Sequence, residues 1–457
     1  MQQLPPNGHI HIVGIGGVGL SAIARILLAQ GYTLSGSDRS ESAYTVALAR
    51  DGVTIHIGHA AENIAGADAL LVTAAVNETH VEVAAARAAG VPVFQRADII
   101  ASIMTGKTVI AVAGTHGKTT TTGMIAHILI TTGRDPSYII GGTLSTTGQN
   151  GAAGKGDAFV IEADEYANMF HGLRPNIAVL TNVEWDHPDF FPTEGDMLRS
   201  FSHFVGLVSG TLIACADDAG ALRLGETISD VEKTYYGIDA PAAQLKASAI
   251  QSGTMGYRFT AQDGQTVLGE VQLAIPGRHN VLNALAAIRA TMLYGVPFAE
   301  AAGALASFSG TGRRFDVRGE IDSVYVIDDY AHHPTAIRAT LEAARGRFPG
   351  HQVWAVWQPH TYSRTKALWN AYATAFGDAD HVLVTPIYAA REQPVDGVDS
   401  AWLVRDMPHL DARYVASLDA ATELLLADVQ APAVIVIMSA GDAPKIGEHY
   451  LIKRALK

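Results

Sequence analysis

A glycine-rich loop with a lysine and a threonine lies at residues 114–120, which read Gly-Thr-His-Gly-Lys-Thr-Thr. The apolar run before it, residues 109–113, predicts a buried parallel strand, and the residues after it, through Ile130, predict an amphipathic helix. A loop at such a junction directs backbone N–H groups at phosphate oxygens, Lys118 can reach the β- and γ-phosphates, and the Thr119 hydroxyl suits Mg²⁺. The pattern therefore predicts a nucleoside triphosphate site, in a shortened form because Val112 replaces the first glycine of the strict motif. An ordinary βα turn with a capping threonine is the alternative.

Carboxylates and a histidine follow two further predicted strands. Residues 162–165, Glu-Ala-Asp-Glu, come directly after the apolar run 158–161, and His187 follows the apolar run 177–181. Because parallel strands end at the same sheet edge, these groups are expected near the glycine loop, where a nucleotide's Mg²⁺ is held. Glu162 comes first after its strand and is the preferred ligand, with a solvated acidic loop as the alternative.

A second glycine loop opens the chain at Gly14-x-Gly16-x-x-Gly19, with Asp38 about 20 residues further on. Taken alone, this pattern is the dinucleotide fingerprint, so an NAD-binding domain is one interpretation of this segment. A tight turn that binds no ligand is another. The unit spans only about 100 residues before a helix predicted at residues 96–105 and a boundary at Gly106. That length favours a small doubly wound sheet that binds a mononucleotide.

Polar residues recur at strand ends in the rest of the chain. Asn280 and Asn283 share a helix face near a helix start, where amides are usually caps. Residues 308–314 form a glycine-rich segment with two arginines, typical of a hinge, whose cations could reach a phosphate. A third α/β unit starts near Phe315, and its polar clusters at 328–334 and 358–364 follow predicted strands, where open α/β sheets bind ligands.

Composition bounds the possible functions. The 457 residues are enough for about three domains, and 48% hydrophobic content supports buried cores. A net charge of −13 argues against nucleic acid as the main partner. The single cysteine, Cys215, fits a reducing compartment, no apolar run is long enough to span a membrane, and the first residues lack a signal-peptide pattern. The sequence therefore predicts a cytoplasmic globular protein.

In their order along the chain, these motifs resemble those of the Mur ligases of peptidoglycan synthesis, and the resemblance covers nearly the whole chain. It is carried by residues 114–120, 162–165, 182–187, 277–283, 312–315 and 328–334. The resemblance implies an α/β fold in three domains: a Rossmann-like UDP-sugar domain at 1–106, a central P-loop ATPase-like domain at 107–313, and a C-terminal Rossmann-like domain at 314–457. The last would bind the amino acid and close on ATP.

Within the family, the loop at 14–19, the His-His-Pro at 332–334 and the Gln-Pro-His at 358–360 look most like the branch that joins L-alanine to UDP-N-acetylmuramate. The resemblance implies ligation through an acyl phosphate, with UDP-N-acetylmuramate, ATP and L-alanine as small-molecule substrates. It also implies two Mg²⁺ ions, for which Mn²⁺ can substitute, one on Thr119 and Glu162 and the second on Glu162 and His187. A monomer or a weak homodimer is expected.

The resemblance also implies roles for individual residues. It assigns catalysis to Lys118, Glu162, His187, His332 and Arg364; ATP binding to Gly114, Thr115, His116, Gly117, Lys118, Thr119, Thr120, Asn280, Asn283, Arg314 and Asp329; UDP-sugar binding to Gly14, Gly16, Gly17, Gly19, Ser37, Asp38 and Thr73; and the amino-acid pocket to Tyr330, His332, His360 and Arg364.

The chain departs from the family pattern in places. Some members carry a carbamylated lysine that bridges the metals, but residues 184–210 contain no lysine, so that modification is not expected. Thr361 stands where many alanine-adding relatives have an arginine, and Tyr166 resembles the murein-peptide recycling ligase, which adds a preformed tripeptide to the same UDP sugar. The recycling ligase is therefore the leading alternative. An NAD-dependent oxidoreductase and a nucleotide-dependent switch protein are alternatives from other classes.

Overall fold

The structure of this chain is a computed structural model, which describes residues 4–73, 76–254 and 256–456. Its strands form three sheets of five, ten and six strands that follow one another along the chain. Each sheet is mainly parallel and is flanked by helices, so the predicted three-domain α/β fold is confirmed.

The first sheet is entirely parallel and has the strand order β3-β2-β1-β4-β5. Strands β2 and β3 are added on one side of β1, and β4 and β5 on the other, so the strand order reverses at β1. The glycine loop follows β1 and therefore lies at the switch point where doubly wound sheets bind ligands. The elements are β1 (His9–Val13), α1 (Val18–Ala29), β2 (Thr33–Asp38), α2 (Ala43–Arg50), β3 (Thr54–Ile57), a 3₁₀ turn (Ala61–Ile64), β4 (Ala69–Val72), α3 (Val81–Ala89), β5 (Val93–Gln95) and α4 (Arg96–Ile103).

The second sheet has a parallel centre and antiparallel ends, in the order β15-β14-β13-β12-β11-β10-β6-β9-β7-β8. Its elements are β6 (Thr108–Ala113), α5 (Lys118–Thr131), β7 (Ser137–Leu144), β8 (Gln149–Ala152), β9 (Ala158–Glu162), 3₁₀ turns within Tyr166–Gly172, β10 (Ile177–Leu180), α6 (Glu194–Val205), β11 (Thr211–Cys215), α7 (Ala219–Thr227), β12 (Glu232–Gly237), β13 (Leu245–Gly253), β14 (Gly256–Asp263), β15 (Thr266–Leu273), α8 (Arg278–Leu293) and α9 (Phe298–Leu305).

The helix after the Gly-Lys-Thr loop differs from the prediction. Helix α5 was expected to be amphipathic, but every residue from 119 to 129 is buried. The helix packs against strands β6, β7 and β9 on one side and against helices α8 and α9 on the other, so it has no solvent face along most of its length. A helix that is enclosed on all sides need not alternate polar and apolar faces.

The third sheet has the order β16-β17-β21-β18-β19-β20, with β16 as an antiparallel edge strand. Its elements are β16 (Asp316–Ile321), β17 (Val324–Asp329), α10 (Pro334–Arg347), β18 (Gln352–Trp357), α11 (Tyr362–Ala367), α12 (Trp369–Ala373), β19 (His381–Val384), α13 (Ser400–Asp406), β20 (Ala412–Tyr414), α14 (Leu418–Asp428), β21 (Ala433–Met438) and α15 (Pro444–Ala455).

The first two sheets share one continuous apolar core, whereas separate clusters cover the two faces of the third sheet. The close approach of helix α1 to strand β8 explains this continuity, because a Cβ atom on Gly151 would lie 2.7 Å from the Cβ of Ala22. The Asn150 amide adds hydrogen bonds of 2.7 Å to the Val18 carbonyl and 2.8 Å to the Ser21 hydroxyl. None of the helices within the described ranges combines the length and apolar character needed to cross a membrane.

Candidate active site

A cavity of about 540 Å³ lies where the three sheets meet. Most of the predicted site residues line it, including members of all three domains: Gly19, Thr115, His116, Gly117, Lys118, Thr119, Thr120, Glu162, His187, Asn280, Asn283, Arg314, Asp329, Tyr330, His332, His360 and Arg364. Gly114, Gly14, Gly16, Gly17, Ser37, Asp38 and Thr73 do not line this cavity. The first group therefore forms one site, although its members are spread over most of the sequence.

The Gly-Lys-Thr loop is held in shape by the segment after strand β10. A side chain on Gly114 would meet the Thr181 hydroxyl at 2.0 Å, and one on Gly117 would meet the Asn283 amide oxygen at 2.6 Å. Both glycines also have positive φ, so their identity is required by conformation as well as by space. The Asn182 side chain accepts from the His116 backbone N–H at 2.8 Å. Residues 181 and 182 thus fix a loop that lies more than 60 positions away in sequence.

Lys118 is anchored by a carboxylate that the site prediction did not include. Its ammonium nitrogen donates to the Gly114 carbonyl at 2.6 Å and lies 2.8 Å from a carboxylate oxygen of the buried Glu165. Burial opposes the charge on Lys118, but Glu165 and the nearby acids outweigh it and raise the lysine's pKa. Lys118 therefore stays cationic in a desolvated site, as the stabilisation of phosphoryl oxygens requires.

Thr119 and Glu162, the residues predicted to bind the first Mg²⁺ ion, contact each other directly. The Thr119 hydroxyl donates to one Glu162 oxygen at 3.1 Å, and the Gly141 N–H donates to the other at 2.7 Å. Burial raises the pKa of Glu162, despite the opposing effect of Lys118. A hydroxyl and a carboxylate are oxygen ligands of the kind Mg²⁺ prefers, and a bound cation would favour the ionised carboxylate. These residues therefore fit the predicted ion.

The second predicted pair is arranged differently. Neither a hydrogen bond nor an ion pair joins Glu162 to His187 in the part of the chain that the structure describes; the His187 Nε2 atom instead lies 3.6 Å from Glu165. Burial would lower the pKa of His187, but the carboxylates of Asp186 and Glu165 raise it. His187 thus lines the same cavity as Glu162, and its direct neighbour is Glu165, a carboxylate that the site prediction did not include.

Of the predicted ATP-contacting residues, Asn283 and Arg314 reach the Gly-Lys-Thr loop, whereas Asn280 and Asp329 hold neighbouring segments. The Asn283 amide donates to the Asn280 side-chain oxygen at 3.0 Å, and Asn280 donates to the Pro276 carbonyl at 2.6 Å. Arg314 reaches from the hinge to donate to the Thr119 hydroxyl at 3.1 Å. Asp329 accepts from the Phe315 and Ala331 backbone N–H groups at 2.8 and 2.7 Å, so this buried carboxylate fixes the turn that carries Tyr330 into the cavity.

Arg364 lies at the centre of the predicted amino-acid pocket and is 3% exposed. Its Nε donates to Asp186 at 2.6 Å, Nη1 lies 2.9 Å from His360 Nδ1, and Nη2 lies 3.3 Å from His187 Nδ1. The guanidinium thus connects the C-terminal and central domains through a buried ion pair. Burial and the Arg364 cation lower the pKa of His360 to about 4 and hold that of His332 well below its usual range. Both imidazoles are therefore neutral near pH 7.

A second interdomain contact lies beside the nucleotide loop. Glu184 accepts from the Thr335 hydroxyl at 2.8 Å, and its other oxygen lies 3.0 Å from His116 and 3.7 Å from His333. Burial opposes ionisation of Glu184, but these partners lower its pKa to about 2. Glu184 therefore links the loop of the central domain to the start of helix α10 in the C-terminal domain.

The first glycine loop is stabilised by the acid that sequence analysis paired with it. Asp38 accepts from the Gly16 N–H at 2.9 Å, and the Ser37 carbonyl accepts from Gly14 at 2.8 Å. The Ser37 hydroxyl donates to the fully buried carboxylate of Glu82 at 2.7 Å, a residue that the prediction did not include. Thr73 follows strand β4 at the same sheet edge.

Comparison with known proteins agrees with this architecture. Three family models match consecutive parts of the chain: "Mur ligase family, catalytic domain" at residues 9–108, "Mur ligase middle domain" at 112–291, and "Mur ligase, glutamate ligase domain" at 313–441. The chain belongs to the Mur ligase family. The resemblance inferred from the motifs is thereby confirmed.

Curated relatives of this Mur ligase match it over nearly its full length. A UDP-N-acetylmuramate–L-alanine ligase of Desulfatibacillum aliphaticivorans is 39% identical, with 98% of each chain covered. One of Roseiflexus sp. is 42% identical, with 96% of this chain and 98% of the relative covered. The crystal structure of UDP-N-acetylmuramate-alanine ligase from Thermotoga maritima matches with a TM-score of 0.84 at 27% identity, covering 98% of this chain and all of that one. A murein peptide ligase from Psychrobacter arcticus matches with a TM-score of 0.74, also at 27% identity, with 98% of each chain covered.

The sequence analysis of this Mur ligase omitted several acidic residues of the site. Most of them are hydrogen-bond or ion-pair partners of residues that it included. Glu165, Asp186 and Glu184 orient Lys118, Arg364 and His116, respectively. All three acids lie within the motif segments 162–165 and 182–187. Their position in these segments could have indicated that they belong to the site. Their individual partners depend on how strands β9 and β10 face the other two domains.

Proposed function

We propose that this Mur ligase joins L-alanine to the lactyl carboxylate of UDP-N-acetylmuramate, converting ATP to ADP and phosphate, in peptidoglycan precursor synthesis. The observation that carries the proposal is the full-length similarity, at 39–42% identity, to proteins named UDP-N-acetylmuramate–L-alanine ligase. The cavity adds physical support, because a triphosphate loop and a buried arginine pocket open into the same space. ATP and nucleotide sugars are cytoplasmic metabolites, so we place the reaction in the cytoplasm.

The first step is phosphoryl transfer. A lactyl carboxylate oxygen attacks the γ-phosphorus of ATP, ADP leaves, and an acyl phosphate forms. The Lys118 ammonium and the loop N–H groups stabilise the charge on the transferring group, and Arg314 is close enough to Thr119 to share that task. Thr119 and Glu162 would hold Mg²⁺, with Glu165 and His187 as the neighbouring donors for a second ion. Such an ion neutralises the phosphate charge and lets the carboxylate approach.

The second step is acyl transfer. The neutral amine of L-alanine attacks the acyl carbon, a tetrahedral intermediate forms, and phosphate leaves as the amine loses its proton. Arg364 is the cation that binds the carboxylate of L-alanine. His332 and His360 lie on either side of this pocket and are neutral, so they add no positive charge that would repel L-alanine while its amino group is still protonated. Closure of the C-terminal domain excludes water from the acyl phosphate.

Each substrate is bound mainly by a different domain in this proposal. Residues 1–106 bind the UDP sugar, residues 107–313 bind ATP, and residues 314–457 bind L-alanine and close on ATP. The glycine loop at 14–19 then holds the UDP diphosphate at its switch point. An NAD-dependent oxidoreductase does not account for the Gly-Lys-Thr loop, the paired Thr119 and Glu162, or the family membership.

A second candidate is the recycling ligase that adds a tripeptide to the same UDP sugar. The structural match to a murein peptide ligase and the presence of Tyr166 after Glu165 favour it. In this chain Tyr166 packs 5.0 Å from His187, and its hydroxyl binds Asp189 at 3.0 Å and also Arg391 of the C-terminal domain. Tyr166 thus lies next to His187 outside the cavity lining and connects the central domain to Arg391 of the C-terminal domain.

One experiment tests both candidates. Phosphate release is measured with ATP, Mg²⁺ and UDP-N-acetylmuramate, with either L-alanine or the alanyl-glutamyl-diaminopimelate tripeptide as acceptor. Release that depends on L-alanine supports the proposed function, and release only with the tripeptide moves the protein to the recycling branch. Slow release that is indifferent to both acceptors and to the UDP sugar would contradict the ligase assignment and favour a nucleotide-dependent switch.

A further inference from the structure

Arg96 is a partly buried cation whose hydrogen-bonding capacity is largely unused within the protein. It is the first residue of helix α4, and its Nη1 atom donates to the Met169 sulfur at 3.6 Å. Across the described ranges, no carboxylate lies within ion-pair distance of its guanidinium. A guanidinium has five N–H donors, and a thioether is a weak acceptor. The remaining donors are therefore available to a ligand in the cavity that Arg96 lines.

The position of Arg96 indicates what those partners are. Its side chain lines the active-site cavity together with Gly19 in the first turn of helix α1, and a Cβ atom on Gly19 would lie 3.2 Å from Arg96 Nε. On the other side, Glu162 and Asp164 line the same cavity. Burial lowers the pKa of Arg96, while Asp164 and Glu162 act to raise it, so the guanidinium remains charged. Arg96 thus lies between the predicted diphosphate loop and the acids of the cation site.

We propose that Arg96 binds an anionic oxygen of the nucleotide-sugar substrate and so positions that substrate between the first two domains. This inference rests on the proposed function, which brings a molecule with two anionic groups into this space. The diphosphate would lie at the glycine loop after strand β1, and the lactyl carboxylate must reach the γ-phosphate beside Glu162. Either anion matches the planar donor fork of an arginine. A cation here also offsets the repulsion between an incoming anion and the carboxylates of Glu162 and Asp164.

The test compares two ligands that differ in one anionic group. UDP-N-acetylmuramate carries both the diphosphate and the lactyl carboxylate, whereas UDP-N-acetylglucosamine carries only the diphosphate. Calorimetry with the full chain measures the affinity of each for the unaltered protein and for Arg96→Gln and Arg96→Lys. Arg87→Gln is the matched control, because Arg87 belongs to the same domain but is exposed and paired with Glu78 at 3.2 Å. Steady-state assays add the KM for UDP-N-acetylmuramate, ATP and L-alanine.

We expect Arg96→Gln to weaken UDP-N-acetylmuramate binding by about tenfold to a hundredfold, the effect of losing a charge-assisted hydrogen bond. Its KM should rise with the KM for ATP unchanged, and Arg96→Lys should recover part of the loss because it keeps the charge without the fork. A loss confined to UDP-N-acetylmuramate assigns Arg96 to the lactyl carboxylate, and an equal loss for both ligands assigns it to the diphosphate.

The contrary outcomes separate this inference from the function on which it rests. Unchanged affinity of Arg96→Gln for both ligands, with normal binding by the unaltered chain, overturns the role of Arg96 alone. A parallel loss of ATP affinity and thermal stability, without rescue by lysine, shows a structural role and also overturns it. Absence of UDP-N-acetylmuramate binding by the unaltered chain overturns the proposed function and this inference with it.

Discussion

The buried ion pair between Asp186 and Arg364 offers the sharpest test of how the acceptor pocket is built. The Asp186 carboxylate lies 2.6 Å from Arg364 Nε, and the two side chains are 5% and 4% exposed. Replacing Asp186 with asparagine keeps the size of the side chain and one acceptor oxygen but removes the charge. Burial would raise the pKa of Asp186, but Arg364 and the neighbouring imidazoles hold it well below its usual range, so the wild-type carboxylate is ionised at any pH at which the enzyme would be assayed.

The magnitude follows from the burial of the pair. A hydrogen bond to a charged group is worth about 1.5–3 kcal/mol, and breaking a buried ion pair outright costs about 3–5 kcal/mol. The asparagine oxygen can still accept a hydrogen bond from the Arg364 cation, so the lower range applies. If the lost interaction orients Arg364 toward the alanine carboxylate, kcat/KM for L-alanine should fall by about tenfold to a hundredfold. Formation of the acyl phosphate should fall less than this, because Lys118 and Glu162 do not contact the pair and only His187, 3.3 Å from Arg364 and 3.8 Å from Asp186, connects it to the cation site.

Two assays separate these steps. Phosphate release as a function of L-alanine concentration gives kcat/KM for the acceptor, and ADP–ATP exchange that depends on UDP-N-acetylmuramate reports acyl-phosphate formation without the acceptor. Asp51→Asn is the matched control, because Asp51 pairs with Arg25 at the same distance of 2.6 Å but is 40% exposed. Although the Arg25 side chain is only 9% exposed, the carboxylate of this pair is hydrated, so the pair should contribute less than the fully buried pair of Asp186 and Arg364. The reasoning fails if exchange and kcat/KM fall equally in Asp186→Asn, or if Asp51→Asn loses as much activity.

Three further predictions concern the other parts of the site. Lys118→Ala should abolish turnover while calorimetry shows nearly normal binding of UDP-N-acetylmuramate, because the two proposed sites belong to different domains; equal loss of both would refute that division. Glu162→Gln should raise the Mg²⁺ concentration needed for half-maximal activity, measured by Mg²⁺ titration, since an amide is a weaker ligand; an unchanged requirement would exclude Glu162 as a ligand. Burial opposes the ionisation of Glu82, but His11, Ser37 and Asn63 lower its pKa from 4.5 to about 2. Its ionised form should therefore contribute about 3 kcal/mol of stability above pH 4.5, which is lost as pH falls toward 2. Thermal melts should accordingly show Glu82→Gln less stable than the unaltered chain at pH 7 and nearly equal to it near pH 2, and a gap that does not change with pH would contradict this origin.

Many of the candidate site residues could be predicted because they lie in short sequence motifs. The Gly-Lys-Thr loop, the acids after strand β9 and His187 after strand β10 each follow an apolar run, and parallel strands bring their carboxyl ends to one edge. The doubly wound class of the first sheet likewise follows from alternating strands and helices with a glycine loop after the first strand, although strand β3 and the strand order were not predicted. The character of helix α5 could not be read in this way, because its burial depends on helices α8 and α9 from far along the chain.

The sequence by itself determined which candidate residues follow which strands, because backbone conformation and turn chemistry are decided by neighbours in the chain. Only the tertiary structure decided the partners that orient them. Arg364 and Asp186 are 178 positions apart, and Arg314 and Thr119 are 195 apart. The sequence could not show that Lys118 pairs with Glu165 and not with Glu162. That choice depends on the direction in which each carboxylate points, and only the folded structure gives this direction. These residue pairings depend on how the domains pack and on which charged groups become buried next to each other. Both are properties of the whole fold.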